Sequence, residues 1–148
     1  GYCNYFIART YSEDWLKYKN PPASKNVVFN ELLINWKEPI ILVEGVFDAL
    51  KAENSIPLLG STLSSYSKLF RAILTHSRRL YLALDQDAEK KALNIINLLI
   101  SHGVEVYKIN TSDYEDVGEM TKEEFEKRKS SALLLDESTL LVQKIMQI

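Results

Sequence analysis

Cysteine is almost missing from this chain: Cys3 is the single one in 148 residues. No disulfide framework or thiolate zinc site can be assembled within it, and a chain without such bridges suits a reducing cytoplasm. Histidine is nearly as scarce. His76 and His102 fall near expected helix ends, where capping or surface exposure is the ordinary role. No apolar run approaches the ~20 residues that cross a bilayer, and no secretory leader is read at the amino end, so no membrane partner is expected. A basic excess is also lacking, with 18 Lys and Arg against 20 Asp and Glu for a net charge of −2. A protein that grips nucleic acid unaided carries a clearer positive surface. Either nucleic acid is not a partner, or another part of the machine supplies that surface. Internal repeats and low-complexity tracts are absent too, and the length fits one domain able to bury its own core. The chain begins at Gly1 and not at Met, and is expected to be a piece of a longer protein.

What is present is an alternation of two periodicities. Residues 1–38 are mixed, with short strands expected at Tyr5–Ile7 and Val27–Phe29 and a turn or extended loop at Asn20-Pro21-Pro22. From Pro39 the pattern sharpens. Ile40 to Val43 is a β-branched run of the kind buried on both faces of a sheet, ending at Glu44-Gly45. A short helix is expected over roughly 46–54 and a second strand at Pro57–Leu59. Leu63, Tyr66, Leu69, Phe70, Ile73 and Leu74 then share one helical face. Leu80 to Leu84 reads as the next buried strand, ending at Asp85. Ala88, Ala92, Ile95, Ile96 and Leu99 mark an amphipathic helix stopped near Gly103, and Val104, Val106 and Ile109 a further strand. Two helices, near 121–130 and 132–147, are expected to close the chain. Strands alternating with helices predict an α/β fold, a parallel sheet flanked by helices on both faces. Such sheets bind ligands beyond the carboxyl ends of their strands.

Two of the expected strands end in acid. Glu44 and Asp48 are four residues apart, about one helical turn, so both can face the same edge. Asp85 and Asp87 flank Gln86 and project to one side. Singly, each of these acids has a structural role open to it, as a helix cap or a solvated residue. Gathered at one rim they repel unless a cation neutralises them. Carboxylate oxygens suit a hard cation, Mg²⁺ or Mn²⁺, and the two histidines and one cysteine are poorly placed for zinc.

These residues resemble a known family. The segment VEGVFDAL, Val43 to Leu50, resembles the E-G-x-x-D motif of TOPRIM domains, and LALDQDAEKKAL, Leu82 to Leu93, their D-x-D motif at the end of a later strand. Between them LLGSTLSSYSKLFRAI, Leu58 to Ile73, resembles the Leu-Gly-Ser/Thr segment of replication primases, including Gly60 and Ser61. In order and spacing the set resembles the TOPRIM domain of a bacterial or phage-type DNA primase, which implies a Rossmann-like sheet over 39–120. Residues 1–38 would be the remnant of a basic subdomain, and 121–148 a helical segment.

The resemblance implies roles. Glu44 would be the catalytic acid/base or a metal ligand. Asp85 and Asp87, with Asp48, would hold Mg²⁺ or Mn²⁺. Gly45 would allow the tight turn from strand to helix, and Gly60 and Ser61 the approach of phosphate. A third acidic stretch, Glu115 to Glu119, resembles the family's D-P-D element, with Asp116 as its first acid and Glu119 in place of the second. The middle residue of the D-x-D is Gln86 where primases commonly have glycine, and Lys90 and Lys91 follow where Ala-Gly-Arg is common. Lys90, Lys91, Arg78 and Arg79 are candidate phosphate contacts, and Arg9, Lys17, Lys19 and Lys25 candidate remnants of the template-gripping surface. The implied activity is synthesis of RNA primers from nucleoside triphosphates on a single-stranded DNA template by two-metal phosphoryl transfer. A replicative helicase would be a further partner, the setting a bacterial or phage-infected cytoplasm, and the isolated fragment weakly active. Two alternatives stay open: a TOPRIM nuclease, of the overcoming-lysogenisation type or an RNA maturase, and a haloacid-dehalogenase-like phosphatase with Asp85 as nucleophile.

Overall fold

The structure is a computed structural model that describes residues 5–11, 18–60, 62–114, 117–136, 138, 139, 141 and 142. Its centre is a five-stranded sheet in the order β4-β3-β5-β6-β7, formed by β3 (Ile40–Val43), β4 (Ser55–Pro57), β5 (Arg79–Ala83), β6 (Glu105–Lys108) and β7 (Leu133–Leu135). The first four run parallel and β7 antiparallel. The helices α1 (Val46–Ala49), α2 (Lys68–His76), α3 (Glu89–Ile100) and α4 (Lys122–Ser130) connect the strands in turn. The α/β class and the run of strand and helix therefore match the sequence-based expectation.

The strands are buried because alternate residues feed two different cores. Ile40, Leu42, Leu80, Leu82 and Val106 pack with Leu69, Phe70 and Ile73 of α2 and with Ile95, Ile96 and Leu99 of α3. Ile41, Val43 and Ala83 pack on the opposite face with Ala49 of α1, Val117, Met120 and Phe125 of α4. All four residues of β3 are fully buried, as its unbroken β-branched and leucine run predicts. Ser67 caps α2 by accepting from the Phe70 amide at 3.1 Å, and Thr121 caps α4 through the Glu124 amide at 3.2 Å.

Several elements differ from the sequence reading. The helix α1 ends at Ala49, short of the expected 54, and β4 is Ser55–Pro57, two residues before the expected Pro57–Leu59. The helix α2 begins at Lys68, so Leu63 and Tyr66 precede it, and Tyr66 is exposed where it was expected on the buried face. Val27–Phe29 is irregular chain leading into a 3₁₀ turn at Glu31–Leu33, with Val28 packed against the core. The amino-terminal pairing is Ala8–Arg9 (β1) against Tyr18–Lys19 (β2), just beyond the expected Tyr5–Ile7. At the other end, Leu133–Leu135 is a strand inside the expected helix 132–147; beyond it residues 138, 139, 141 and 142 are helical as expected, and 137, 140 and 143–147 lie outside the described residues. Three consecutive leucines satisfy either periodicity. The open edge of β6 decides between them, since Val106, Tyr107 and Lys108 pair with Leu135, Leu134 and Leu133. Among the described residues no helix is long and apolar enough to cross a membrane.

Candidate active site

The strand order locates the site. β3 and β5 are neighbours in register, Val43 beside Ala83, so the chain leaves both at the same rim. From β3 it enters α1 on one face of the sheet, and from β5 it enters α3 on the other. Connections that diverge in this way open a crevice between the two strand ends. Glu44 is the residue after β3, and Asp85 stands two residues past β5. Both line one cleft of about 730 Å³, together with Gly45, Asp48, Gly60 and Glu119. Arg9 of β1, Asn20 and Lys51 add polar and positive groups to its wall. Arg9 also stacks on Phe47, its guanidinium 5.3 Å from the ring centre.

Each carboxylate is held differently. Asp48 is almost fully buried. Its Oδ2 accepts from the Gly45 amide at 2.7 Å and its Oδ1 from the Gly118 amide at 3.2 Å. One side chain thus closes the first turn of α1 and draws the 3₁₀ turn Val117–Glu119 against it. Glu44 Oε1 accepts from Lys91 Nζ at 2.8 Å, across 47 residues of sequence. Glu44 Oε2 is buried and has no hydrogen-bond partner among the described residues. Asp85 precedes the 3₁₀ turn Gln86–Ala88 in extended conformation. It also lines a smaller cavity of about 140 Å³ with Glu89, Lys108 and Thr111.

Glycine is needed in two distinct ways. At Gly45 the backbone is extended, with φ −115°, a conformation open to any residue. The constraint there is space: a Cβ would stand 3.1 Å from the Asp48 carboxylate oxygen. Gly45 thus stands at the turn from β3 into α1, where a side chain would crowd the carboxylate that closes it. Gly60 has φ +71° and follows Leu59, itself left-handed at φ +57°. Lys25 Nζ donates to the Leu59 carbonyl at 3.1 Å and restrains this turn.

The other sequence candidates are distributed unevenly. Asp87 is exposed beside the rim and is not among the described lining of the large cleft. Lys90 is exposed on α3, while Lys91 is turned onto Glu44. Arg78 and Arg79 stand at the start of β5, about 20 Å of extended chain from Asp85. Arg79 is bound to Glu105 at 3.0 Å, which raises its pKa above the usual guanidinium value. The expectation that Arg78 and Arg79 meet phosphate at the acidic rim is therefore corrected: they stand at the opposite end of the central strand β5. Lys19 is exposed in β2. Ser61, Asp116 and Lys17 lie outside the described residues.

Sequence reading missed the Lys51 wall and the Lys91–Glu44 pair. Lys51 stands three residues after Asp48, a helical spacing that signals a shared edge. No local pattern links residues 44 and 91.

A divalent ion fits the acidic rim on one observation, the buried and unshared Oε2 of Glu44. No three acidic, histidine or cysteine side chains among the described residues converge closely enough to hold a metal by themselves. That does not conflict with Mg²⁺, which commonly takes one or two carboxylates and completes its shell with water and substrate phosphate.

No protein-family model and no curated protein matches the sequence. Solved structures do. The Aquifex aeolicus primase, comprising zinc-binding and RNA polymerase domains, superposes with a TM-score of 0.68 at 27% identity, over 91% of this chain and 38% of that one. The DnaG catalytic core superposes with a TM-score of 0.65 at 21% identity, over 97% of this chain and 52% of that one. The chain therefore has a primase-type fold and spans between about a third and a half of the primase structures it resembles.

Proposed function

We propose that the chain is the metal-binding TOPRIM part of a DNA primase, joining nucleoside triphosphates into RNA primers on single-stranded DNA. The observation that carries this reading is the meeting of Glu44 and Asp85 in one cleft at the diverging ends of β3 and β5, within a fold shared with primase cores. In such a reaction a 3′-hydroxyl attacks the α-phosphate and pyrophosphate leaves. Bound divalent cations would neutralise charge on the phosphates and help to align the in-line attack.

The chain's own residues have separable tasks. Asp85 and Asp87 would hold the ions, with Glu119 as a further acid of the same cleft and Asp116, which lies outside the described residues, as a candidate by resemblance alone. Glu44 would either complete a metal shell through its open oxygen or receive the hydroxyl proton there. Asp48 orders the rim through its two backbone bonds. Arg9 and Lys51 supply positive wall against which a triphosphate tail could lie. Single-stranded DNA and nucleoside triphosphates are the partners of this reading.

Two measurements test it. Calorimetry should show Mg²⁺ or Mn²⁺ binding to the chain, and a fluorescent nucleoside triphosphate should bind only with the metal present. Absence of metal-dependent nucleotide binding overturns the proposal. Metal-dependent nicking of DNA without primer extension would instead select the nuclease alternative.

A further inference from the structure

Glu44 closes β3 and Lys91 is the third residue of α3, yet their charged ends meet at 2.8 Å with the side chains only 27% and 21% exposed. A surface ion pair would need no explanation. This one is drawn well out of water, where a pair persists only with good geometry and satisfied oxygens. It is half satisfied: Oε1 takes the ammonium, while Oε2 is buried with no partner among the described residues. A carboxylate oxygen in that position calls for a cation or a donor.

We propose that Lys91 is a resident counter-ion of Glu44, which keeps the rim neutralised in the metal-free protein and is displaced when a divalent cation binds. The inference rests on the metal-site reading above. An ammonium on one oxygen of a carboxylate and a dication on the other would lie within a few ångströms of each other, and like charges at that range repel strongly. Each therefore weakens the other's hold on the carboxylate. Lysine suits a displaceable role. It is a point charge on a flexible stem, so it occupies one oxygen and can swing away. An arginine would clamp both oxygens through its planar fork. Lys91 therefore sets the concentration at which metal enters, and is a positioning residue, not a catalytic one.

The test uses metal alone. Calorimetry with Mg²⁺ and Mn²⁺ compares the wild-type chain with Lys91→Met and Lys91→Arg. Removing the competing charge should tighten binding about tenfold, and Arg should weaken it. A methionine variant that binds no tighter than wild type overturns the inference while leaving the metal site standing. Absence of binding in all three proteins overturns the metal site and the inference with it. Should the variants fold poorly, the wild-type protein answers alone. With lysine side chains labelled for NMR, the Lys91 ammonium signal should move towards that of a solvated lysine as Mg²⁺ is added. A Lys91 signal that stays put while metal binds overturns the displacement.

Discussion

Replacing Asp48 separates two roles by the sign of the effect. If this carboxylate served only as one member of a metal-binding acid cluster, removing its charge from the metal-free protein would relieve repulsion and stabilise the fold. Its geometry argues the reverse. The two carboxylate oxygens accept from the Gly45 and Gly118 amides at 2.7 and 3.2 Å, in a residue only 6% exposed. Hydrogen bonds to a charged group contribute about 1.5–3 kcal/mol each, and a donor left buried without an acceptor costs more. The 3.2 Å bond is long and belongs at the lower end. Asp48→Ala should thus lose about 3–4 kcal/mol of stability. Asp48→Asn should lose about half as much, since one amide oxygen still accepts while the NH₂ faces a second donor. Urea denaturation in chelator measures this directly. With a slope of about 2 kcal/mol/M, the alanine midpoint should fall by about 1.5–2 M. Hydrogen exchange at the Gly118 amide should accelerate in parallel. An unchanged or raised midpoint for either variant refutes the tether.

Three other outcomes follow from the same structure. Asp85→Asn should weaken Mg²⁺ binding by about tenfold or more, ~1.4 kcal/mol, and Asp87→Asn by less, because Asp85 lines the cleft and Asp87 is exposed beside it; calorimetry checks the order. Phe125→Ala should cost about 3–5 kcal/mol in urea denaturation, since Phe125 is the one buried residue of α4 and is fully enclosed beneath the sheet. Finally, Arg128 binds Glu124 at 2.7 Å and Asp113 at 2.7 Å, and this hydrogen bond lowers the Glu124 pKa below its usual 4.5. A carboxylate depressed on folding contributes stability above its unfolded pKa and loses it as pH falls through the folded value. The urea midpoint should therefore decline as pH drops below about 4.5, and Arg128→Met should flatten part of that decline.

The core strands were readable because each carries a local signal strong enough to survive without context. Ile40–Val43 is continuous and β-branched, and its bounds in the structure match the run. The helix of Ala92, Ile95, Ile96 and Leu99 likewise buries the face its spacing marks. Glu44 and Asp85 could be paired from sequence because both follow such strands, and the crevice rule needs only that. What was not readable depended on partners far along the chain. Leu133–Leu135 becomes a strand only because β6 has a free edge. Arg78 and Arg79 looked close to the acids in sequence, yet a strand separates its two ends in space. The Lys91 contact joins residues 47 positions apart, beyond the range of any helical or strand period.

The late arrival of β7 has a practical consequence for anyone who shortens this protein. Ending the chain near residue 120, where sequence alone draws the limit of the core, would strip Leu133–Leu135 from the flank of β6. The backbone groups of Val106, Tyr107 and Lys108 would then lie open as a template for a neighbouring molecule. Such a truncation would also delete α4, whose phenylalanine seals one face of the sheet, so the product should clump before its chemistry could be assayed.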